Sequence, residues 1–208
     1  MARDDPHLIR DLAALERLYA PANPNSLAKE ADHVNDVYRP FIEAAPFLVL
    51  ATCGDGGLDA SPRGDPAGFV VVEDPRTLLI PDRRGNNRLD SLRNIVADPR
   101  VGLLFMIPGV DETLRVNGRA HLSTDPARLA RFEVAGRQPA CVVVVAVDAV
   151  YFQCSRALLR SRLWDPSTQV PRERLPSAGA ILKAMLDGGF DDAAYDREAP
   201  QRMRGSLY

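Results

Sequence analysis

Cysteine is scarce in this chain and badly spaced for chemistry. Cys53, Cys141 and Cys154 are the only three in 208 residues, and no two of them form a C-x-x-C pair. That spacing excludes a zinc ribbon and a dithiol redox motif, and the odd number gives no disulfide framework. Three reduced thiols in a cytoplasmic protein are the expectation. Histidine is equally sparse: His7, His33 and His121 show no H-E-x-x-H or other ligand spacing, so no metal site is expected. Neither sign of charge is in excess, with 26 basic and 28 acidic side chains and a net charge of −2. That balance argues against nucleic acid or a membrane surface as a partner. The longest apolar run, Ala140 to Val147, has the length of a strand and not of a membrane span. The opening Met1-Ala-Arg-Asp-Asp-Pro lacks the apolar core of a secretory signal, which also points to the cytoplasm. A G-x-S-x-G elbow is missing, and with it a serine hydrolase of that type.

What is present reads as one domain, residues 1–208, with an N-terminal helical segment (1–45), a barrel core (46–156) and a C-terminal segment (157–208). Chains of this length bury enough surface to fold without staples. Leu8, Leu12, Leu15 and Leu18 recur at helical spacing and predict a helix over His7 to Tyr19, and Ser26 is placed to cap a second, short one. From Phe47 the pattern turns to β. Strands are predicted at Phe47–Thr52, Leu58–Arg63, Gly68–Val72 and Thr77–Ile80, joined by hairpin-length turns. Gly54-Asp-Gly-Gly57 is one such turn; it lacks the third glycine and the following helix that a dinucleotide-binding loop requires. A helix capped by Asn86 or Asn87 places Leu89, Leu92 and Val96 on one face, and the strand Val101–Ile107 follows. Leu114, Val116, Ala120 and Leu122 keep a period of two through Asn117-Gly118, which favours one long strand with the glycine at a bulge or a close contact. Asp125-Pro126 opens a short helix, Cys141–Val147 runs on toward Cys154 as a long strand, and Ser177–Leu186 is a terminal helix before a frayed end. The fold class is mainly β: an antiparallel split barrel with helices at its ends.

The most informative stretch is Pro81-Asp-Arg-Arg-Gly-Asn-Asn-Arg88, just ahead of a helix. A helix start offers unpaired N–H groups and the positive end of the macrodipole. Arg83, Arg84 and Arg88 surround it, and the arginine fork suits phosphate oxygens. A solvated, arginine-rich turn held by asparagine caps explains the same spacing equally well. Ser61-Pro-Arg-Gly-Asp65 is the second feature: Pro62 places it at an edge or a bulge, and Arg63 is turned either to a ligand groove or to an exposed ion pair.

These residues resemble the pyridoxamine 5′-phosphate oxidase-like, FMN-binding split-barrel superfamily. The resemblance is carried by Ala51-Thr52, Ser61-Pro-Arg63, Leu78-Leu-Ile-Pro-Asp82, Asn87-Arg88, Asp98-Pro-Arg-Val-Gly-Leu-Leu-Phe105 and Leu114-Arg-Val-Asn-Gly-Arg-Ala120. It implies a homodimer with FMN at the interface and an FMN-dependent oxidoreductase of unknown substrate. Arg63 and Arg88 would then contact the phosphate with Asn87, and Ser91 would face it from the helix turn. Pro81 and Asp82 would lie along the flavin ring, Arg83 beside the phosphate or in solvent, and Trp164 of the partner subunit over the flavin. Leu89 stands where the oxidases have a lysine, and the Arg-Leu-His-Asp-Arg segment that holds their substrate's phosphate is absent. The flavin is thus the part of the resemblance that extends to this chain, and vitamin B6 is not the expected substrate. A flavin-binding sensor without turnover is the alternative, as is a barrel using deazaflavin or, through His121, haem.

Overall fold

The computed structural model describes residues 5–186 and 189–208. Two compact units emerge, residues 1–30 and 31–208. The first holds two short helices, α1 (Leu12–Glu16) and α2 (Pro24–Ala28). The predicted helix over His7–Tyr19 is reduced to α1, and Leu8, Leu12, Leu15 and Leu18 are all exposed. A helical stripe that buries nothing has little beyond propensity to hold it, and short helices are marginal on that basis. The cap of α2 is Asn23, whose side chain accepts from the Asn25 N–H at 2.9 Å, rather than Ser26, which lies inside the helix.

The larger unit begins with α3 (Arg39–Ala44), followed by β1 (Phe47–Gly54), β2 (Gly57–Gly64), β3 (Val71–Asp74) and β4 (Thr77–Pro81). Then come α4 (Asp90–Ala97), β5 (Arg100–Met106), β6 (Thr113–Ser123), α5 (Pro126–Ala130) and β7 (Val142–Gln153). The C-terminal part carries α6 (Arg156–Ser161), two 3₁₀ turns, α7 (Ala178–Met185) and α8 (Asp192–Arg204). The end expected to fray is therefore a helix, capped by Asp191. No helix among the described residues is long and apolar enough to cross a membrane.

All seven strands form one antiparallel sheet in the order β2-β1-β5-β6-β7-β4-β3. The sheet does not close through backbone hydrogen bonds: β2 and β3 are its two edges. It curls all the same. Leu48 and Leu50 of β1 share one core with Leu78 and Ile80 of β4, Val143 and Val145 of β7, and Leu103 and Phe105 of β5. Val34, Tyr38 and Ile42 plug that core from the α3 side. This is the split barrel, mainly β with added helices. A smaller cluster of Leu79, Val142, Val144 and Phe132 lies on the other face of β4 and β7, with Leu129 of α5 against it. Burial on both faces explains why the β7 sequence opens as an unbroken apolar run instead of alternating.

Local expectations are met where turn chemistry is strong. Gly54 pairs with Gly57 across a tight hairpin, and Pro62 stands in an edge strand. Asp125 caps α5 with Pro126 at the first helical position. The third strand starts later than predicted, at Val71, because Gly68 takes a left-handed φ of 88° and turns the chain before Phe69 and Val70 enter the core. β6 is one strand with its register shift at Asn117/Gly118. A Cβ on Gly118 would collide with the carbonyl oxygen of Ala146 on β7, so the bulge and the close approach are the same feature. Replacing Gly118 with alanine should cost about 2–4 kcal/mol, since the obstacle is backbone and not a side chain that can turn aside. Urea denaturation measures this directly, and a loss under about 0.5 kcal/mol would show that β6 and β7 separate without penalty.

Candidate functional site

The inner face of β2 is polar and its outer face apolar, which inverts the usual order for a strand on a core. Asp59, Ser61 and Arg63 alternate toward the interior, while Leu58, Ala60 and Pro62 face out. Opposite Asp59 and Ser61 stands the first turn of α4. Ser91, which is buried, donates to Asp59 Oδ2 at 2.6 Å, and Ser61 donates to the same oxygen at 2.8 Å. The Asp59 carboxyl is held below its ordinary 3.8 first by the Ser91 hydroxyl, then by Ser61 and the charge of Arg63, against the effect of burial. An internal carboxylate thus lies beside the first turn of the helix, tied to it through the Ser91 hydroxyl.

Arg63 reaches from the end of β2 to the end of β4, where its Nη1 donates to Asp82 Oδ1 at 2.6 Å. Just beyond both strands a second pair forms with the charges reversed: Arg83 Nε donates to Asp65 Oδ2 at 2.6 Å. Both pairs are shielded, with side-chain exposures of 19% and 15% for Arg63 and Asp82, and 18% and 5% for Arg83 and Asp65. β2 and β4 stand first and sixth in the sheet, so these crossed ion pairs join strands that share no backbone bonds. Arg63 Nε is buried and has no hydrogen-bond partner among the described residues. Arg83 is further engaged by the Phe132 carbonyl at 2.6 Å and by the Tyr208 ring, 5.2 Å from its guanidinium carbon. Tyr208 also donates to Asp65 at 2.6 Å, and that bond, with burial and the Asp65 charge, pushes its phenol above the usual value of 10. Burial, and after it the Asp82 carboxylate, raise the Cys141 thiol.

The turn ahead of α4 carries two non-glycine residues with positive φ, Asn87 at 58° and Leu89 at 62°. For leucine this conformation is costly, and such strain collects at functional sites. Leu89 is the N-cap of α4 and contributes no side-chain bond; Asn86 Oδ1 accepts from the Arg88 N–H at 3.1 Å instead. The helix therefore starts later than predicted, and its buried face is Ser91, Leu92 and Ile95, with Leu89 and Val96 exposed. Arg88 is 74% exposed and pairs with Asp90 at 2.8 Å.

Of the residues singled out in the sequence, the structure gathers Arg63, Pro81, Asp82, Arg83 and Ser91 into the region between the ends of β2 and β4 and the start of α4, with Asn87 and Arg88 on the adjoining turn. Arg84 is exposed. Trp164 is engaged elsewhere in its own chain: its Nε1 donates to the Val110 carbonyl at 2.8 Å, and it lines a cavity with Gly109 and Leu163. His121 stands on the exposed face of β6. Sequence reasoning missed Asp59 and Tyr208. The alternation Asp59-x-Ser61-x-Arg63 was available as a signal for the first; no local pattern marks the second.

The sequence profile of the pyridoxamine 5′-phosphate oxidase family matches residues 34–154, which span β1 to β7 and every member of the cluster except Tyr208. The chain belongs to this family. Among solved structures, HupZ of Group A Streptococcus is similar at 14% identity, covering 57% of this chain and 93% of its own, with a TM-score of 0.47. The FAD binding protein of Mycobacterium smegmatis matches at 17% identity, 59% and 97% coverage and a TM-score of 0.41. A Clostridium acetobutylicum protein related to general stress protein 26 matches at 10% identity, 55% and 84% coverage and a TM-score of 0.40. No curated protein gives a significant match.

A depressed carboxylate adds stability above its unfolded pKa and loses it as the pH falls through the folded value. Asp59→Asn should therefore flatten the acid limb of the unfolding free energy as the pH falls through and below the ordinary carboxylate value of 3.8, where the native protein weakens. Urea denaturation across that range reads the effect. Parallel acid limbs in the two proteins would remove Asp59 from the linkage.

Proposed function

We propose that this member of the pyridoxamine 5′-phosphate oxidase family binds FMN and works as an FMN-dependent oxidoreductase. The observation that carries the reading is the buried Arg63 Nε with no hydrogen-bond partner among the described residues. A buried, unsatisfied donor on a cation costs free energy, and an oxyanion is the group that satisfies it. The remaining residues fit a phosphate as well. The Ser91 hydroxyl lies in the first turn of α4, Arg88 is accessible just ahead of it, and the strained Asn87–Leu89 turn brings backbone to the same place.

In this reading Arg63, Ser91 and Arg88 hold the phosphate with Asn87 beside them, while Pro81 and Asp82 line the ring. Asp82 and Asp65 already neutralise Arg63 and Arg83. The phosphate therefore shares Arg63 with Asp82, through the nitrogen that Asp82 leaves unused. When bound, the flavin supplies the two-electron chemistry, and the protein's part is to anchor, orient and shield it.

A homodimer belongs to the same proposal. β1, β2 and β5 present an apolar outer face in register: Val49 between Pro62 and Leu104, Ala51 between Ala60 and Gly102, Phe47 between Gly64 and Met106. Leu58, at the free edge of that face, is 88% exposed. A contiguous apolar face of this kind marks an association surface, and two-fold dimers are the commonest soluble assemblies.

Two measurements test the proposal. The purified chain should show two flavin bands in the blue region and release FMN identified by mass. Arg63→Ala should weaken FMN binding by on the order of 10–100-fold, the equivalent of about 1.5–3 kcal/mol for hydrogen bonds to a charged group. Turnover should follow as reduction by a nicotinamide cofactor with a reoxidising acceptor. A colourless protein that also refuses added FMN would defeat the flavin reading. For the dimer, light scattering should give twice the chain mass, and Leu58→Glu with Ala60→Glu should shift it to the monomer without changing the circular dichroism. An unshifted mass would move the interface elsewhere.

A further inference from the structure

The helices α7 and α8 are thinly attached. α8 buries none of its residues and α7 only Gly179, while Ile181, Met185, Met203 and Leu207 stay exposed. The pair is held mainly to itself: Asp196 accepts from the Gly179 N–H at 2.9 Å, and Lys183 donates to Asp192 at 2.9 Å. A Cβ on Gly179 would collide with the Asp192 carbonyl oxygen, so the two helices touch there without a side chain between them. Segments with few buried apolar contacts are the ones that open first in a fold.

One residue fastens this hairpin to the barrel. Tyr208, just beyond α8, reaches the seam between β2 and β4. Its phenol donates to Asp65 Oδ1 at 2.6 Å, and its ring lies 5.2 Å from the Arg83 guanidinium carbon. Its main-chain oxygen accepts from Arg137 Nη1 at 2.5 Å, on the connection between α5 and β7. Among the described residues these are the hydrogen bonds and the ring contact that join α7 and α8 to the barrel. The bond to Asp65, with burial, pushes the phenol above its usual value, so the donor keeps its proton at neutral pH.

Docking has a consequence for Arg83. Its Nε is engaged by Asp65 and its Nη1 by the Phe132 carbonyl, and the Tyr208 ring packs against the guanidinium. Solvent therefore reaches little of this cation while Tyr208 is seated, whereas Arg88 on the neighbouring turn is open to it.

We propose that α7, α8 and Tyr208 form a strap whose docking is an autoinhibitory contact: seated, it withholds Arg83 from an oxyanion at the β2–β4 seam, and released, it offers Arg83 to that anion. A ligand that needs the open state binds with its affinity reduced by the fraction of molecules that are open, so loosening the strap tightens binding. The strap rests on the functional reading above only in placing an anion at this seam, and it does not require that anion to be a flavin.

Phenylglyoxal condenses with accessible guanidinium groups, and peptide mass mapping after its reaction reads the exposure of Arg83; pyrophosphate serves as the probe anion. Tyr208→Ala removes the ring and the bond to Asp65, while Tyr208→Phe removes the bond alone. Arg83 labelling should be about tenfold faster in Tyr208→Ala, the equivalent of one hydrogen bond to a charged group, and intermediate in Tyr208→Phe, with Arg88 unchanged. Hydrogen exchange of the α8 amides should quicken in Tyr208→Ala while that of β4 and β7 stays as slow as in the wild type. Calorimetry should show pyrophosphate binding Tyr208→Ala about fivefold more tightly than the wild type. Unchanged Arg83 labelling in Tyr208→Ala would overturn the proposal. So would faster exchange in β4 and β7 alongside α8, which marks a loosened barrel, or pyrophosphate affinity equal to or below that of the wild type. A colourless protein that refuses FMN and still shows these changes would defeat the flavin reading and keep the strap; bound flavin with unchanged Arg83 labelling would do the reverse.

Discussion

Two crossed ion pairs, Arg63–Asp82 and Asp65–Arg83, hold together strands that the sheet itself leaves apart. A seven-stranded antiparallel sheet with two free edges can lie open or curl, and backbone hydrogen bonds alone do not decide which. Here the far ends of β2 and β4 are pinned by reciprocal charges, each mostly shielded from solvent. Removing one member of such a pair leaves a buried charge behind, at a cost of about 3–5 kcal/mol. At this seam the curl of the sheet is held by these two contacts together with the apolar core that β1, β4, β5 and β7 share. Closure by side-chain charge also differs from closure by backbone ladder in a functional respect: a ligand anion can compete for arginine, whereas it cannot compete for a strand.

The polar face of β2 follows from that constraint. A strand at the seam of the barrel cannot bury apolar residues there without sealing the site, so Asp59, Ser61 and Arg63 take the interior and Leu58, Ala60 and Pro62 the exterior. Asp59 satisfies two hydroxyls and balances part of the positive potential of α4. The cluster is nearly charge-neutral as it stands, and its one unmet demand is the Arg63 Nε.

Much of this was legible in the residues because it depends on local chemistry. The Gly54–Gly57 turn, the Asp125-Pro126 helix start and the long β6 with its glycine all follow from backbone rules that act within a few positions. The split barrel was legible through motif order, and the meeting of Arg83 and Arg88 with Ser91 near one helix start through the spacing of those residues. What could not be read depends on distant partners. Leu89 in a left-handed conformation moves the start of α4 and turns the expected apolar face outward, which periodicity alone cannot foresee. Nothing near Arg83 in sequence announces Phe132 or Tyr208, and nothing near Arg63 announces that its counter-charge is Asp82 on the sixth strand of the sheet. The leucine stripe over residues 8–18 shows the opposite failure, a correct helical period with no buried surface to sustain the helix.

Both edges of the sheet are unfit to recruit another strand. Pro62 removes a donor from β2, while β3 is four residues long and broken by a bulge between Val72 and Asp74. Edges blunted in this way resist strand addition. In the proposed dimer, an exposed apolar face beside blunted edges would let copies of this chain meet face to face and stop there. Such a dimer would be a closed assembly instead of a growing filament, able to keep a sticky surface at high concentration without polymerising.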